Sequence, residues 1–256
     1  MGWGWDYKPY VPVAARRAQA EKAAHKAAKA GQTFNPVRVQ GRSIAKTFWG
    51  KAWCDNLEAY SDFENRLPRG RTYVRNGSVI DLQIEPGKIT AKVMGSTLYQ
   101  VVIDITALPQ KQWATLVQDC TGSIATLVEL LQGRLSQAVM GRLCAPQTGM
   151  FPAPRQIKMA CSCPDWAGMC KHVAATLYGV GARLDARPEL LFTLRQVDAG
   201  DLLTAQAAVA PARAKKPPKG RVLEDAALAD VFGIELAIEA APVEPRAPAK
   251  RAKKAA

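Results

Sequence analysis

The chain has no apolar run near the ~18 residues that a membrane span needs. Its opening, "MGWGWDYKPYVPVAARRAQAEKAAHKAAKAG", scatters charge where a secretory signal needs an apolar core. Both absences argue against membrane or export and predict a reducing cytoplasm, with nucleoid association compatible, where disulfides are rare. The sequence also lacks a Gly-rich phosphate loop, a paired-carboxylate site and a nucleophile motif, so it offers no reaction and no small-molecule substrate. Aromatics make up only 7%, and there are two histidines and six cysteines in 256 residues. Three of those cysteines and one histidine fall within "CSCPDWAGMCKH", Cys161 to His172.

The charge is unevenly spread. The formal net charge is +13, with six Lys/Arg against two acids in residues 1–31, nineteen against fourteen in 32–210 and ten against six in 211–256. Two short terminal segments thus carry most of the excess. Such arms suit an acidic partner, because counterion release rewards Lys and Arg that approach a phosphate backbone. They equally suit a solubilising role.

Pattern and turn signals divide the chain into five segments. Residues 1–31 are an aromatic and basic arm: Trp3, Trp5, Tyr7 and Tyr10 either dock on the body or stack on a ligand, and Ala14 to Ala30 reads as an exposed basic helix or a flexible arm. Residues 32–108 hold a core helix with Ile44, Phe48, Trp53, Leu57 and Tyr60 at helical spacing. An antiparallel meander of three or four strands follows, running from "RTYVR" to "VVIDI" and punctuated at Asn76-Gly77, Pro86-Gly87 and Gly95-Ser96. Residues 109–154 read as three short helices. Residues 155–200 hold the cysteine cluster between a strand, "RQIKMA", and a helix carrying Val173, Leu177 and Val180, with Pro188 opening a second helix. Residues 201–256 form a Pro/Ala/Lys-rich tail with one apolar patch, Leu223 to Ile238. The fold class expected is α+β: a β-meander with flanking helices, a short helical segment and a small treble-like strand–loop–helix metal finger.

Zinc takes four ligands in a tetrahedron, thiolates and neutral imidazole among the best, and two nearby pairs commonly supply them. Cys161 with Cys163 makes one pair and Cys170 with His172 the other. A Cys-x-Cys on extended chain can present both sulfurs to one metal, and a helix start beside Cys170 favours its thiolate. Four ligands with none to spare describe a closed structural site holding one Zn2+ per chain, whereas a catalytic zinc keeps an open position for water. A Cys/His nucleophile pair and a metal-free packed core are weaker accounts of the same cluster. Cys54, Cys120 and Cys144 sit in apolar helical patterns and read as core thiols, and His25 as solvated.

The pattern Cys-x-Cys, short gap, Cys-x-His, with Pro-Asp after the second cysteine and Lys before the histidine, resembles the SWIM zinc finger. "FWGKAW", "GSTLYQVVIDI" and "PELLFTLR" extend the likeness to the bacterial SWIM-finger proteins that accompany Snf-type helicases, over roughly residues 33 to 200. That resemblance implies Cys161, Cys163, Cys170 and His172 as zinc ligands, no catalytic residue, and DNA or protein partners. Around the finger, Arg155, Lys158, Lys171 and Trp166 form a set able to grip phosphates and stack a base, unless Trp166 covers the thiolates and the cations are solvated. Arg66, Arg69, Arg71 and Arg75, around the expected first strand, form a second candidate patch. The leading expectation is a non-enzymatic adaptor on nucleic acid, DNA rather than RNA, working with a Snf-type helicase. The rival is a protein-interaction module that docks on the helicase without touching nucleic acid. Removing the metal is expected to loosen residues 155 to 195 while the meander stays folded.

Overall fold

In the computed structural model of the chain, residues 11–59, 66–165 and 167–203 are described. They fall within one unit, Met1–Val209. The N-terminal aromatics, Tyr60, Trp166 and the Leu223 to Ile238 patch lie outside the described residues.

The Ala/Lys stretch forms helix α1, Val13–Lys29, and it is docked rather than free. Its alanines supply the contact: Ala20 packs with Ile80 and Met94, with Ala23 and Phe34 beside them. Helix α2, Phe48–Glu58, buries Trp49, Trp53, Cys54 and Leu57, while Phe48 is half-buried. Both indoles are satisfied, the Trp49 Nε1–H donating to the Leu130 carbonyl at 2.9 Å and the Trp53 Nε1–H to the Leu177 carbonyl at 2.8 Å. Helical spacing picked out Phe48 and passed over Trp49, which is the more buried of the two.

"RTYVR" is a helix and not the first strand of the meander. Helix α3, Leu67–Arg75, starts with a proline in its first turn and turns Leu67, Gly70 and Val74 inward. Thr, Tyr and Val favour strands, but Pro68 fits a helix start and the i, i+3, i+7 burial fits one helix face. Asn76-Gly77, read as a hairpin turn, instead ends this helix, with Gly77 at φ +70°. Arg66, Arg69, Arg71 and Arg75 therefore lie on or beside a helix.

Strands β1 (Val79–Glu85), β2 (Lys88–Met94) and β3 (Leu98–Ile105) then form the meander. Helices α4 (Gln110–Cys120), α5 (Leu127–Gln132) and α6 (Gln137–Leu143) realise the three short helices expected of residues 109–154. A 3-10 turn at Pro154–Gln156 leads into strand β4, Ile157–Cys161, which pairs antiparallel with β3. The sheet is four-stranded and antiparallel in the order β1-β2-β3-β4. With helices on both sides of it in sequence, the chain is α+β.

Period two is clearest on β3 and β4, whereas the first four residues of β1 are all buried. On β3, Tyr99, Val101, Ile103 and Ile105 are buried while Leu98, Gln100 and Asp104 are exposed. On β4, Ile157, Met159 and Cys161 pack against the core while Lys158 and Ala160 face solvent. Helix α7, Lys171–Leu184, fills the space over the buried face, and α8, Glu189–Arg195, follows it. All but three residues of α7 are buried, so it is an internal helix with no solvent stripe of ordinary width.

Such a helix needs close neighbours. A Cβ at Gly70 of α3 would lie 2.5 Å from the Ala174 Cβ and 2.8 Å from the Ala174 carbonyl carbon, and one at Gly50 of α2 would lie 2.6 Å from the Gly181 carbonyl oxygen. Gly70→Ala would ordinarily gain about 1 kcal/mol of helix propensity. Here the obstructing atoms include backbone, and overpacking costs about 1–3 kcal/mol. We expect the G70A chain to be less stable by roughly 1–2 kcal/mol on the same grounds, read as a lowered midpoint of urea unfolding; a raised midpoint would mean that α3 and α7 are not in contact here.

Candidate metal centre

Three elements supply the cluster. The β3–β4 pairing carries Cys161 to the last position of β4, on the inward side with Ile157 and Met159. Ser162 fixes the turn that follows: its N–H donates to the Gln100 carbonyl at 3.0 Å and its Oγ accepts from the Gln100 N–H at 2.9 Å. Cys163 therefore leaves the strand in a defined direction. Asp165 holds the far side of the loop, accepting from the Ala167 N–H at 3.2 Å and pairing with the Arg66 guanidinium at 3.2 Å. Cys170 is the N-cap of α7 and its sulfur accepts from the Val173 N–H at 3.5 Å. His172 sits one residue into the first turn.

The four ligand atoms all lie within 4.8 Å of one another. His172 Nδ1 is 3.8 Å from both the Cys161 and the Cys170 sulfurs. An ion held tetrahedrally at about 2.3 Å from sulfur and about 2 Å from nitrogen keeps its ligand atoms about 3.5–3.8 Å apart. The donors thus fit one ion, with Nδ1 as the imidazole ligand. Cys170 and His172 are each 1% exposed, and Cys161 and Cys163 are half-buried. All six cysteines are free thiols.

Sequence reading located the ligands but not their support. The His172 ring stacks on Tyr99 of β3 at 4.3 Å and 27° and meets the edge of Tyr73 of α3 at 5.5 Å and 71°. A Cβ at Gly95 would lie 2.8 Å from His172 Nε2. Gly95, read as a turn signal, thus also leaves room for the imidazole. Nε2 is buried with no hydrogen-bond partner among the described residues. On the other side of Tyr73 lies Arg16 of α1, its guanidinium 4.6 Å from the ring centre. None of these supports follows a spacing rule, since each depends on elements that meet only in the folded chain.

The thiols do not behave alike. Cys170 is pulled down to about 3, chiefly by the hydrogen bond from Cys161, with His172 and the Val173 N–H helping against burial. Cys161 is pushed up by sharing that proton and by burial, and Cys163 is pushed up by burial. Cys170 at the start of α7 is thus the member of the cluster whose surroundings favour the thiolate, the form in which a cysteine holds a metal ion. By contrast Cys54 and Cys144 are each pushed up to about 12, mainly by burial, and Cys120 is also raised by burial, as expected of core thiols.

The remaining candidate residues divide. Arg66 is tied to Asp165, and Arg71 pairs with Glu58 at 3.1 Å and donates to the Tyr178 hydroxyl at 2.9 Å. Both are structural braces around the loop and α7. Arg69, Arg75, Arg155 and Lys158 are exposed and Lys171 is half-buried. The structure thus brings Arg66 to the metal loop and ties Arg71 to Glu58 and Tyr178, leaving Arg69, Arg75, Arg155 and Lys158 as the exposed cations of the two candidate sets.

No family model matches the chain, and no solved structure matches it. It is 35% identical over 169 residues to the uncharacterized protein Rv2102 of Mycobacterium tuberculosis. The match covers 65% of this chain and spans 61% of that protein's length.

Because β4 completes the sheet and α7 fills its core, the ligands tie together the elements on which the meander packs. Metal loss confined to residues 155 to 195 does not fit this arrangement. We expect Cys170→Ser and His172→Ala to lower bound metal from one ion per chain towards none and to increase amide exchange in β2 and β3 as well as in α7. Unchanged metal content in both variants would show that the ligand set is misassigned; protection retained in β2 and β3 would show that the sheet stands without it.

Proposed function

We propose that the chain is a non-enzymatic zinc protein of the SWIM-finger kind that acts as a nucleic-acid-binding adaptor, on DNA rather than RNA, alongside a Snf-type helicase. The observation that carries the reading is the buried Cys161/Cys163/Cys170/His172 cluster in a chain of net charge +13. Three thiolates and an imidazole in a small tetrahedron favour zinc over hard cations. Four protein ligands leave no open position for a reacting water, which argues for a structural ion. A structural ion contributes folding energy and fixes the surface around it, and the exposed Arg69, Arg75, Arg155 and Lys158 supply cations on that fixed body.

A second reading has its own support. Leu127 and Val128 on α5 are 41% and 57% exposed, an apolar pair suited to a protein partner. On that reading the chain docks on a helicase and reaches nucleic acid only through it.

Salt separates the two. With the full chain carrying one zinc, the affinity for fluorescent DNA is expected to fall linearly on a log–log plot against salt, by about 0.7–0.9 per phosphate contacted. Absence of salt-dependent binding to DNA or RNA, duplex or single-stranded, sinks the first reading. Helicase co-purification that is lost in a Leu127→Ser/Val128→Ser variant would then support the second.

A further inference from the structure

A trough of about 720 Å3 runs between α1, the extended segment 32–40 and the turn that ends α3. Its volume lies within the range of about 300–1,000 Å3 usual for ligand sites. The wall contributed by α1 presents Arg17, Glu21, Ala24 and Ala28, the i, i+4, i+7, i+11 positions of one helix face. The floor is apolar: Ala24, Ala28, Phe34 and Val39 present its accessible surface, over Ala20, Val37 and Ile80, which are themselves buried. Three exposed arginines stand at the rim, Arg17, Arg38 and Arg75, each from a different element, against one acid, Glu21. The Arg17 Nε–H donates to the Asn76 carbonyl at 3.3 Å. The side chains of Arg38 and Arg75 have no hydrogen bond or ion pair among the described residues.

We propose that this trough holds an extended single strand of nucleic acid, with phosphates on the three arginines and bases against the apolar floor. The proposal rests on the nucleic-acid reading above and gives it a place. Charge complementarity argues for a polyanion, and an apolar floor between cations matches the way single strands bind, backbone on a basic rim and bases on apolar or aromatic faces. A duplex offers no unstacked base to such a floor. A peptide adding itself as a strand is disfavoured, because the edge of β1 is already occupied: the Val37 N–H donates to the Val79 carbonyl and the Leu82 N–H to the Asn35 carbonyl, both at 3.0 Å. The wall itself is held by Arg16 on Tyr73, whose ring meets His172. One wall of the trough thus touches the side chains that pack around the candidate metal centre.

The test uses zinc-loaded full-length chain, a fluorescent oligothymidine and a duplex of equal length, at several salt concentrations. The trough variant is Arg17→Ala/Arg38→Ala/Arg75→Ala; the comparison, Lys51→Ala/Lys111→Ala/Arg134→Ala, removes the same charge from exposed cations that belong to neither the trough nor the surface around the metal centre. The trough variant is expected to lose tenfold or more in single-strand affinity and to flatten the log–log salt slope by about 2, at about 0.7 per phosphate. The comparison variant is expected to stay within about threefold of the parent by the same counting. Equal losses in both, or the larger loss in the comparison variant, overturn the trough while leaving nucleic-acid binding intact. Tighter binding of duplex than of oligothymidine overturns the single-strand assignment. No salt-dependent binding by the parent overturns both readings together. Should the triple variant lose its zinc or its helical signal, Arg38→Glu alone, on an exposed side chain with no hydrogen bond or ion pair to lose among the described residues, carries the same comparison.

Discussion

Everything in this fold hangs on one junction, where the end of a strand is tied to the start of a helix by four side chains. Cys161 closes β4, Cys170 caps α7, and His172 faces both sulfurs at 3.8 Å. The junction fixes where α7 begins, and α7 is the element over which β1, β2 and β3 bury their apolar side chains. It also fixes the outer strand of the sheet. The Cys/His cluster and the hydrophobic core are thus one construction, in which the side chains able to hold an ion sit at the origin of the helix that the core requires.

The junction reaches further through rings. Tyr99 stacks on one face of His172, Tyr73 packs against it in a T-shaped arrangement, and the Arg16 guanidinium lies over the Tyr73 ring. A contact chain thereby runs from β3 through the imidazole to α1, which is also attached by a small alanine patch on Ile80 and Met94 and by the Arg17 hydrogen bond to the Asn76 carbonyl. Aromatic and cation–π contacts are each worth about 0.5–2 kcal/mol. The array is enough to position a helix whose own apolar face is slight, and too little to hold it if the imidazole moves.

The cluster was legible in the sequence because metal coordination favours paired spacing: Cys161 with Cys163 and Cys170 with His172 stand out as two pairs, and the fold brings their donor atoms within 4.8 Å of one another. The meander was legible where turns demand particular residues, as at Pro86-Gly87 between β1 and β2, with Gly87 at φ +68°. "RTYVR" was not, because its strand propensity was overridden by tertiary contact: Gly70 lies where only a hydrogen fits against Ala174. Tyr73, Tyr99 and Gly95 were invisible for a related reason, since their roles arise from β3, α3 and α7 meeting at the imidazole. The alanine face of α1 left too weak a periodic signal to distinguish docking from exposure.

The order of the strands along the chain has a consequence in time. The meander ends at Ile105, whereas α7 begins at Lys171, roughly 65 residues later. At a synthesis rate of about 5–20 residues per second, three strands with one apolar face have left the ribosome roughly 3–13 seconds before the helix that covers them. Until β4 arrives, β3 also presents an unpaired edge. The nascent chain thus passes through an interval in which its most strand-prone segment is complete, uncovered and open at one side, even though the finished molecule leaves little of that surface showing.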